Sequence, residues 1–183
     1  GLLITMIIQS SSATTVMVVS FVNAGLLTLK QSIGVIFGAN IGTTITAWIV
    51  SFFGFKFDIA AFAVPMFGIG FILSSYKKLK KEALGEALMG FGLLFLGLDL
   101  LSSAMPSVSS DNMSFLADLT NKGILSISIG VIAGIILTVI IHSSSAATAI
   151  ILTMSYNGLL PWEFAAAMVL GSNIGTTIDA VIA

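Results

Sequence analysis

Apolar runs separated by short polar breaks divide the chain into segments of helix length. A helix that crosses the hydrocarbon core of a bilayer needs about 20 predominantly apolar residues. Three spans are therefore predicted, at 30–53, 59–76 and 83–105, and 106–122 is the only sizeable polar loop. The pattern predicts an all-α membrane protein.

Two apolar pieces, 13–27 and 146–160, are short for a membrane span, and each follows a serine triplet. Short half-helices that meet at a polar tip are typical of re-entrant hairpins. Such irregular backbone is tolerated at membrane depth only where it is buried in protein or lines a hydrated cavity. We therefore expect a helical hairpin over 1–27 and another over 124–160.

The same sequence pattern occurs twice. Residues 9–50 align without a gap with residues 142–183, at a constant offset of 133, and 17 of the 42 positions are identical. The identities concentrate in a Ser-Ser-Ser-Ala motif, a Gly-Leu-Leu motif and an Asn-Ile-Gly-Thr-Thr-Ile motif. Paired polar elements within apolar sequence are what a duplicated transporter uses to build one central site.

Three predicted spans lie between equivalent points of the repeats, so the second repeat is expected to be inverted relative to the first. Four of the seven lysines share the short loop 77–81. Because positively charged loops stay on the cytoplasmic side, we expect loop 77–81 inside the cell and loop 106–122 outside. The two hairpins would then enter the cell membrane from opposite sides, with their tips near the midplane.

The expected organisation is one transport domain. The chain has no initiator methionine and stops within an apolar run, so we expect it to be part of a longer protein. Its predicted parts are repeat 1 over 1–53 (hairpin 1–27, broken helix 30–53), two connecting spans and the outer loop over 54–123, and repeat 2 over 124–183 (hairpin 124–160, broken helix 161–183).

Composition narrows the class of protein. The chain is 57% hydrophobic and 8% charged, whereas a soluble domain carries about 25% charged residues. The absence of cysteine excludes disulfides and thiolate metal sites. No basic patch lies outside the lysine loop, so we expect membrane lipid and no nucleic acid as a partner, and no cofactor. A homo-oligomer is compatible with the sequence.

The serine tips are candidates for anion binding. A half-helix begins after each tip, and the N–H groups of its first turn carry a partial positive charge that suits an anion. The alternative is that the serines only cap these helices, which would explain one serine per tip but not three. The candidate anion ligands are the tip serines and the asparagine of each second motif: Ser10, Ser11, Ser12, Ser143, Ser144, Ser145, Asn40 and Asn173.

The Asn-Ile-Gly-Thr-Thr motifs are expected to break their helices, because glycine weakens a helix and Asn and Thr offer the backbone other partners. Exposed carbonyls and hydroxyls there would suit a small hard cation. The alternative is a glycine hinge whose threonine hydroxyls bond back to their own helix. The candidate cation ligands are Gln9, Thr15, Thr43, Thr44, Thr148, Thr176, Thr177, His142 and Asp179.

No lysine or arginine lies at a tip or a break, so bound cations would have to balance the charge of an anion, which would couple the two. Among the positions that differ between the repeats are Gln9 against His142 and Thr46 against Asp179. His142 could contact the anion or titrate, or it could be a neutral, satisfied core histidine. A serine hydrolase is disfavoured, because adjacent helical residues do not face each other and the first repeat has no histidine.

The QSSSATT tip and the GANIGTT break resemble the sodium–phosphate cotransporter family, the type II phosphate:sodium symporters and their bacterial relatives. The resemblance implies inverted repeats with re-entrant hairpins, inorganic phosphate as the substrate and sodium as the coupling ion. The implied site residues are those of the two motifs: Gln9, Ser10, Ser11, Ser12, Ser143, Ser144, Ser145, Asn40, Thr43, Thr44, Asn173, Thr176 and Thr177. We expect a carrier that works by alternating access and has no enzyme activity. The chain departs from the family pattern at His142, where members usually have glutamine. Phosphate export, another oxyanion, and an ion channel or ion-sensing domain are the alternatives.

Overall fold

The computed structural model describes residues 1–54, 59–76, 81–104 and 123–182. Within these ranges the chain is helical and forms no strand, which confirms the all-α prediction. A π-helical turn, Val50–Gly54, follows the third helix. The helices are α1 (Leu2–Ile8), α2 (Ser11–Asn23), α3 (Leu29–Ile49), α4 (Ile59–Ser75), α5 (Glu82–Ala104), α6 (Ile124–Ile141), α7 (Ser144–Tyr156), α8 (Trp162–Gly175) and α9 (Thr177–Ile182).

Three of the described helices are long and apolar enough to cross a membrane: Leu29–Phe52, Glu82–Ser103 and Ile124–Ile141. The first two correspond to the predicted spans 30–53 and 83–105. The predicted span 59–76 forms α4, which has 17 residues and contains Pro65. The third candidate span is α6, the first arm of the second predicted hairpin, whose 18 residues extend about 27 Å.

The distribution of side chains is that of an integral membrane protein. Small hydroxyl residues are buried, such as Thr5 and Thr138 at 1% exposure, while large aliphatic residues face outward, such as Ile7 at 82% and Ile140 at 71%. A soluble protein has the opposite arrangement. Helices in lipid pack through small residues and interhelical hydrogen bonds, because burying apolar surface there gives no gain over contact with lipid.

The described chain forms two compact units. The first contains residues 1–48 and 123–182, and the second contains 49–54, 59–76 and 81–104. In the second unit α4 packs against α5 around the buried side chains of Ala63 and Phe95. A Cβ added to Gly92 would lie 2.8 Å from the Ala63 carbonyl oxygen, so the two helices are in backbone contact there.

In the first unit, α6 and α8 pack closely, as the small residues of both helices predict. Gly134 of α6 lies against the Met168 carbonyl with no room for a side chain. The core beside this contact is formed by Ile151, Leu160, Phe164, Ala165 and Met168. This packing holds the second repeat together.

Each predicted hairpin contains two helices joined by a two-residue turn. The turn Gln9-Ser10 joins α1 to α2, and the turn His142-Ser143 joins α6 to α7. Their re-entrant placement in a membrane stays a prediction. Residues 77–80 of the lysine loop and the whole loop 106–122 lie outside the described residues.

The prediction that the helix over 30–53 is broken at its Asn-Ile-Gly-Thr-Thr motif is wrong. Helix α3 runs through the motif without interruption. Its threonine hydroxyls bond back to their own helix, from Thr43 to the Ala39 carbonyl at 3.2 Å and from Thr44 to the Ile41 carbonyl at 2.7 Å. The backbone carbonyls of α3 are therefore not released by unwinding.

In the second repeat the helix over 161–183 is interrupted at Thr176 alone, between α8 and α9. Thr176 keeps nearly helical dihedral angles, φ −62° and ψ −25°. The Thr176 hydroxyl donates to the Ser172 carbonyl at 2.9 Å, and the Thr177 hydroxyl donates to the Ile174 carbonyl at 2.6 Å. The expected break is reduced to a one-residue irregularity.

Candidate functional site

The two serine tips have nearly the same backbone conformation. Gln9 and His142 both adopt the left-handed region, with φ 57° and ψ of 25° and 26°. The serines that follow are both extended, Ser10 at φ −140° and ψ 107° and Ser143 at φ −149° and ψ 109°. The repeated sequence therefore produces a repeated turn, even where glutamine is replaced by histidine.

The first serine of each triplet caps the helix that follows. Ser10 Oγ accepts a hydrogen bond from the Ala13 N–H at 3.1 Å, and Ser143 Oγ accepts one from the Ala146 N–H at 3.2 Å. Capping thus accounts for one serine per tip. The other two serines of each triplet lie in the first turn of α2 and α7.

The second serines of the two triplets meet. Ser11 Oγ and Ser144 Oγ are 3.3 Å apart, and the two residues are 5% and 4% exposed. These residues are equivalent in the two repeats, so the contact joins one position to its own counterpart. The N-termini of α2 and α7 therefore converge on one buried point.

Four of the other candidate anion ligands are of intermediate exposure. Ser12, Ser145, Asn40 and Asn173 are half-buried. Neither asparagine side chain hydrogen-bonds within the described part of the chain. Helix α9, which follows the second Asn-Ile-Gly-Thr-Thr motif, packs against α2 of the first tip.

The candidate cation ligands differ in exposure. Thr43 and Thr176 are buried at 8% and 4%, whereas Thr44 and Thr177 are exposed. All four hydroxyls donate to carbonyls three or four residues earlier in the chain, as the glycine-hinge alternative supposes. Their oxygens keep lone pairs that can still accept a cation.

Two further threonines follow the tips. Thr15 is buried, and its hydroxyl donates to the Ser11 carbonyl at 2.9 Å. Its counterpart Thr148 is half-buried. Both lie one turn beyond the serines that meet.

Gln9 ties the first tip to α3. Its Nε2 donates to the Met6 carbonyl at 2.6 Å, and its Oε1 accepts from the Thr46 hydroxyl at 2.8 Å. The equivalent positions in the second repeat are His142, which is exposed, and Asp179, which lies in α9. The side chain of Asp179 is outside what the structure describes. Two of the positions that differ between the repeats thus form a single hydrogen bond in the first repeat.

The sequence did not lead us to Thr5 and Thr138, two buried threonines that occupy equivalent positions in the first arms of the hairpins. Thr5 Oγ1 lies 3.0 Å from Thr14 Oγ1, and both residues are 1% exposed. The counterpart of Thr5 is Thr138, whose Oγ1 is buried with no partner among the described residues. The offset of 133 also relates 1–8 to 134–141, with 4 of 8 positions identical, so extending the alignment would have found this pair.

The glycines of the Asn-Ile-Gly-Thr-Thr motifs are contact points rather than hinges. A Cβ on Gly42 would lie 2.9 Å from Thr5 Cβ, and a Cβ on Gly175 would lie 2.9 Å from Thr138 Cβ. Each glycine lets its helix lie against the first arm of the tip. The Asn-Ile-Gly-Thr-Thr motif of each repeat is therefore in direct contact with the first arm of its hairpin.

The shared Gly-Leu-Leu motif is structural. Gly25 and Gly158 end α2 and α7 in the left-handed region, with φ of 72° and 77°. The next residues close the turn, since the Leu26 N–H donates to the Phe21 carbonyl and the Leu159 N–H to the Met154 carbonyl, both at 2.9 Å. Glycine adopts this conformation at little cost, which explains its repetition.

The site is built from neutral groups and helix ends. Each tip combines the carbonyl end of its first helix with the N–H end of its second, so partial charges of both signs lie side by side. The described residues contain no cluster of three or more His, Cys, Asp or Glu side chains. Hydroxyl, amide and carbonyl oxygens are therefore the main candidate ligands for a cation in this part of the chain.

The chain matches both a family model and individual relatives among known proteins. A family model described as Na+/Pi-cotransporter matches residues 1–103 and again residues 104–183. The "Uncharacterized protein YqeW" of Bacillus subtilis is 35% identical over 188 residues, which cover 100% of this chain and 57% of that protein. The chain thus spans little more than half of this relative. No solved structure matches.

Two other relatives carry functional names. The "Putative inorganic phosphate export protein YjbB" of Escherichia coli (strain K12) is 30% identical over 185 residues, which cover 100% of this chain and 32% of that protein. The human "Sodium-dependent phosphate transport protein 2B" is 53% identical over 51 residues, which cover 28% of this chain and 7% of that protein. The chain spans only a minor part of both relatives.

Proposed function

Because the chain belongs to the Na+/Pi-cotransporter family, a family of transporters and not of enzymes, we propose that it carries inorganic phosphate across the cell membrane together with sodium. The observation that carries the proposal is the meeting of Ser11 and Ser144 at the N-termini of α2 and α7. Two helix N-termini and two buried hydroxyls at one point form a site for a small anion.

Phosphate would bind where the serine tips converge. The hydroxyls of Ser11 and Ser144 are close enough to each other to donate to oxygens of one tetrahedral anion. The neighbouring serines and the two half-buried asparagines, Asn40 and Asn173, would donate to its other oxygens. Hydrogen bonds from neutral groups to a charged acceptor are stronger than those between neutral groups.

Sodium would bind through neutral oxygens next to the tips. Gln9 Oε1 accepts a hydrogen bond from Thr46 of α3. Thr43 and Thr176 are buried, and each follows a glycine that contacts the first arm of its hairpin. Hard cations prefer such oxygen ligands. Since the helices are not unwound, hydroxyl, amide and turn oxygens would replace the released carbonyls in this role. Thr15, Thr44, Thr148, Thr177, His142 and Asp179 complete the proposed set.

The absence of lysine and arginine from the two motifs gives the physical reason for coupling. An anion held by partial charges alone is weakly bound, and each sodium nearby strengthens its binding. By linkage, phosphate strengthens sodium binding to the same extent. Mutual dependence of this kind is what a symporter requires.

Alternating access is supported by the symmetry of the tips. A residue that contacts its own counterpart lies on a pseudo-two-fold axis, and inverted-repeat transporters place their site on such an axis. Movement of one repeat against the other would open the site to each side in turn. In this arrangement loop 77–81 is cytoplasmic and loop 106–122 is external.

The net direction of transport is a separate question. One relative is named as a phosphate exporter, so the same site could serve export when the ion gradients or the attached parts of the protein differ. A carrier for another oxyanion is a variant of the same mechanism. A channel or an ion-sensing domain would be the alternative of another class.

Uptake of radioactive phosphate into proteoliposomes tests the proposal. We expect accumulation when a sodium gradient is imposed and none when potassium replaces sodium on both sides. Uptake that is independent of sodium would refute symport, and a flux that never accumulates phosphate against its gradient would indicate a channel. Stronger competition by sulfate or arsenate than by unlabelled phosphate would indicate another oxyanion.

A further inference from the structure

Thr138 carries a buried hydroxyl without a hydrogen-bond partner. The residue is 1% exposed, and its Oγ1 has no partner among the described residues. Burying a hydroxyl in this way costs free energy, so such groups are rare in native structures and call for an explanation. Thr5, the counterpart of Thr138 in the first repeat, shows which hydrogen-bond partner the second repeat lacks.

In the first repeat the equivalent hydroxyl is paired. Thr5 Oγ1 lies 3.0 Å from Thr14 Oγ1, and the Thr14 hydroxyl also donates to the Ser10 carbonyl at 3.0 Å. The Thr14 side chain therefore fills the space between the first arm of the hairpin and the turn.

In the second repeat the position of Thr14 is taken by Ala147, which is 0% exposed. The backbone of the turn is the same, so a hydroxyl and a methyl group are absent from the space that Thr14 fills. Because the Thr14 hydroxyl meets Thr5 Oγ1 and the Ser10 carbonyl, the equivalent space would be bordered by Thr138 Oγ1 and the Ser143 carbonyl. The two heavy atoms that alanine lacks occupy roughly the volume of one water molecule or one small ion.

We propose that this space binds one sodium ion, held in part by Thr138 Oγ1 and the Ser143 carbonyl, and that the first repeat has no equivalent site because Thr14 fills it. The proposal rests on the proposed sodium-coupled transport and adds a defined, asymmetric cation site to it. A hydroxyl with unused lone pairs and a carbonyl are the ligands that a hard cation prefers.

The local field favours a cation over an anion. Thr138 lies in the last turn of α6, at the end of the helix where the carbonyls carry a partial negative charge. The proposed phosphate lies on the other side of the tip, at the start of α7. Charges of opposite sign this close stabilise each other, so sodium at Thr138 would strengthen phosphate binding.

The test compares matched valine substitutions in the full chain. Thr138→Val keeps the shape of the side chain and removes the proposed ligand, and Thr5→Val makes the same change in the first repeat. Thermal unfolding in detergent, without phosphate, is measured in sodium and in potassium, because an ion that binds the folded state raises the unfolding temperature. Sodium activation of phosphate uptake is measured in parallel.

We expect sodium to raise the unfolding temperature of the wild type and of Thr5→Val, but less or not at all for Thr138→Val. We also expect Thr138→Val to need about tenfold or more sodium for half-maximal uptake, the effect of losing one contact to a charged group. Ala147→Thr, which restores the threonine pair of the first repeat, should behave like Thr138→Val.

A sodium response in Thr138→Val that equals that of the wild type would overturn the proposal, even if Ala147→Thr fails to fold. A gain in stability for Thr138→Val in both salts, with unchanged sodium activation, would indicate a buried water or an unfilled gap and would also overturn it. If uptake remains sodium-driven in these variants, the proposed function stands without this site. If the wild type shows no sodium-driven uptake, the proposed function fails, while the sodium shift in unfolding temperature still decides the site.

Discussion

Replacing Ser11 or Ser144 by alanine should weaken phosphate binding while the protein still folds. Each change removes one hydroxyl from the point where α2 and α7 converge. A hydrogen bond to a charged group contributes about 1.5–3 kcal/mol, so each loss should raise the phosphate KM about 10- to 150-fold. The assay is phosphate uptake into proteoliposomes at saturating sodium.

The effect on stability should show a different pattern. Each single change breaks the 3.3 Å contact and leaves one buried hydroxyl unpaired, at a cost of about 1–3 kcal/mol. The double variant Ser11→Ala, Ser144→Ala leaves neither hydroxyl behind, so its loss of stability should be smaller than the sum of the two single losses. Thermal unfolding of the four proteins measures this coupling.

Ser20→Ala and Ser128→Ala are the matched controls. Both serines are exposed, and their hydroxyls donate to carbonyls of their own helices, to Val16 and Ile124 respectively. They should leave the phosphate KM unchanged. If Ser11→Ala and Ser144→Ala also kept a wild-type KM and rate, the serine tips would not be the phosphate site.

Three shorter predictions concern packing, the histidine and topology. Gly42→Ala should lower stability by about 1–3 kcal/mol, because its Cβ would lie 2.7 Å from the Leu2 carbonyl oxygen. Gly34→Ala has open space around its Cβ and should keep wild-type stability. Thermal unfolding compares the two variants, and equal stability would contradict the packing. His142→Gln should keep phosphate uptake, since glutamine stands in the same turn of the first repeat, and complete loss would show a specific need for the imidazole. A cysteine in place of Lys81 should react with a membrane-impermeant maleimide only from the cytoplasmic side, and labelling of intact cells from outside would contradict the topology.

The type of residue and its repetition were enough to predict that the serine motifs lie at the starts of two equivalent helices. The repeated serines were expected at helix starts, because a serine there caps the helix and the first turn offers further N–H groups. The duplication added that the two starts should be equivalent. The structure gives both features, with Ser11 and Ser144 in contact. Inversion of the repeats and the membrane depth of the tips stay predictions.

The predicted break in α3 was wrong because the prediction relied on the low helix propensity of the residues in the Asn-Ile-Gly-Thr-Thr motif. Gly42 and the threonines beside it are poor helix formers in isolation. In the folded chain Gly42 gives α3 its close contact with α1, and Thr43 and Thr44 satisfy their hydroxyls on their own helix. Tertiary packing therefore reverses the local preference, and a single sequence does not show which of the two prevails.

The threonine pair near the first tip could not be read from helix patterns. Thr5 lies in an apolar run where a single hydroxyl looks incidental, and its partner Thr14 lies nine positions further on, across the turn. Only the turn geometry brings the two together. The unpaired hydroxyl of Thr138 is visible only when this geometry is compared between the repeats.

The contact between Ser11 and Ser144 also bears on how such a molecule could have arisen. An interface in which a residue touches its own equivalent is isologous, the kind that two identical subunits form around a two-fold axis. Two separate copies of a half-length chain, inserted in opposite orientations, could make the same contact and the same anion site. Joining the two copies in one chain frees each half to change alone, as Gln9 against His142 and Thr14 against Ala147 have done. A symmetric homodimer could acquire neither difference, because every substitution would appear on both sides of the axis at once.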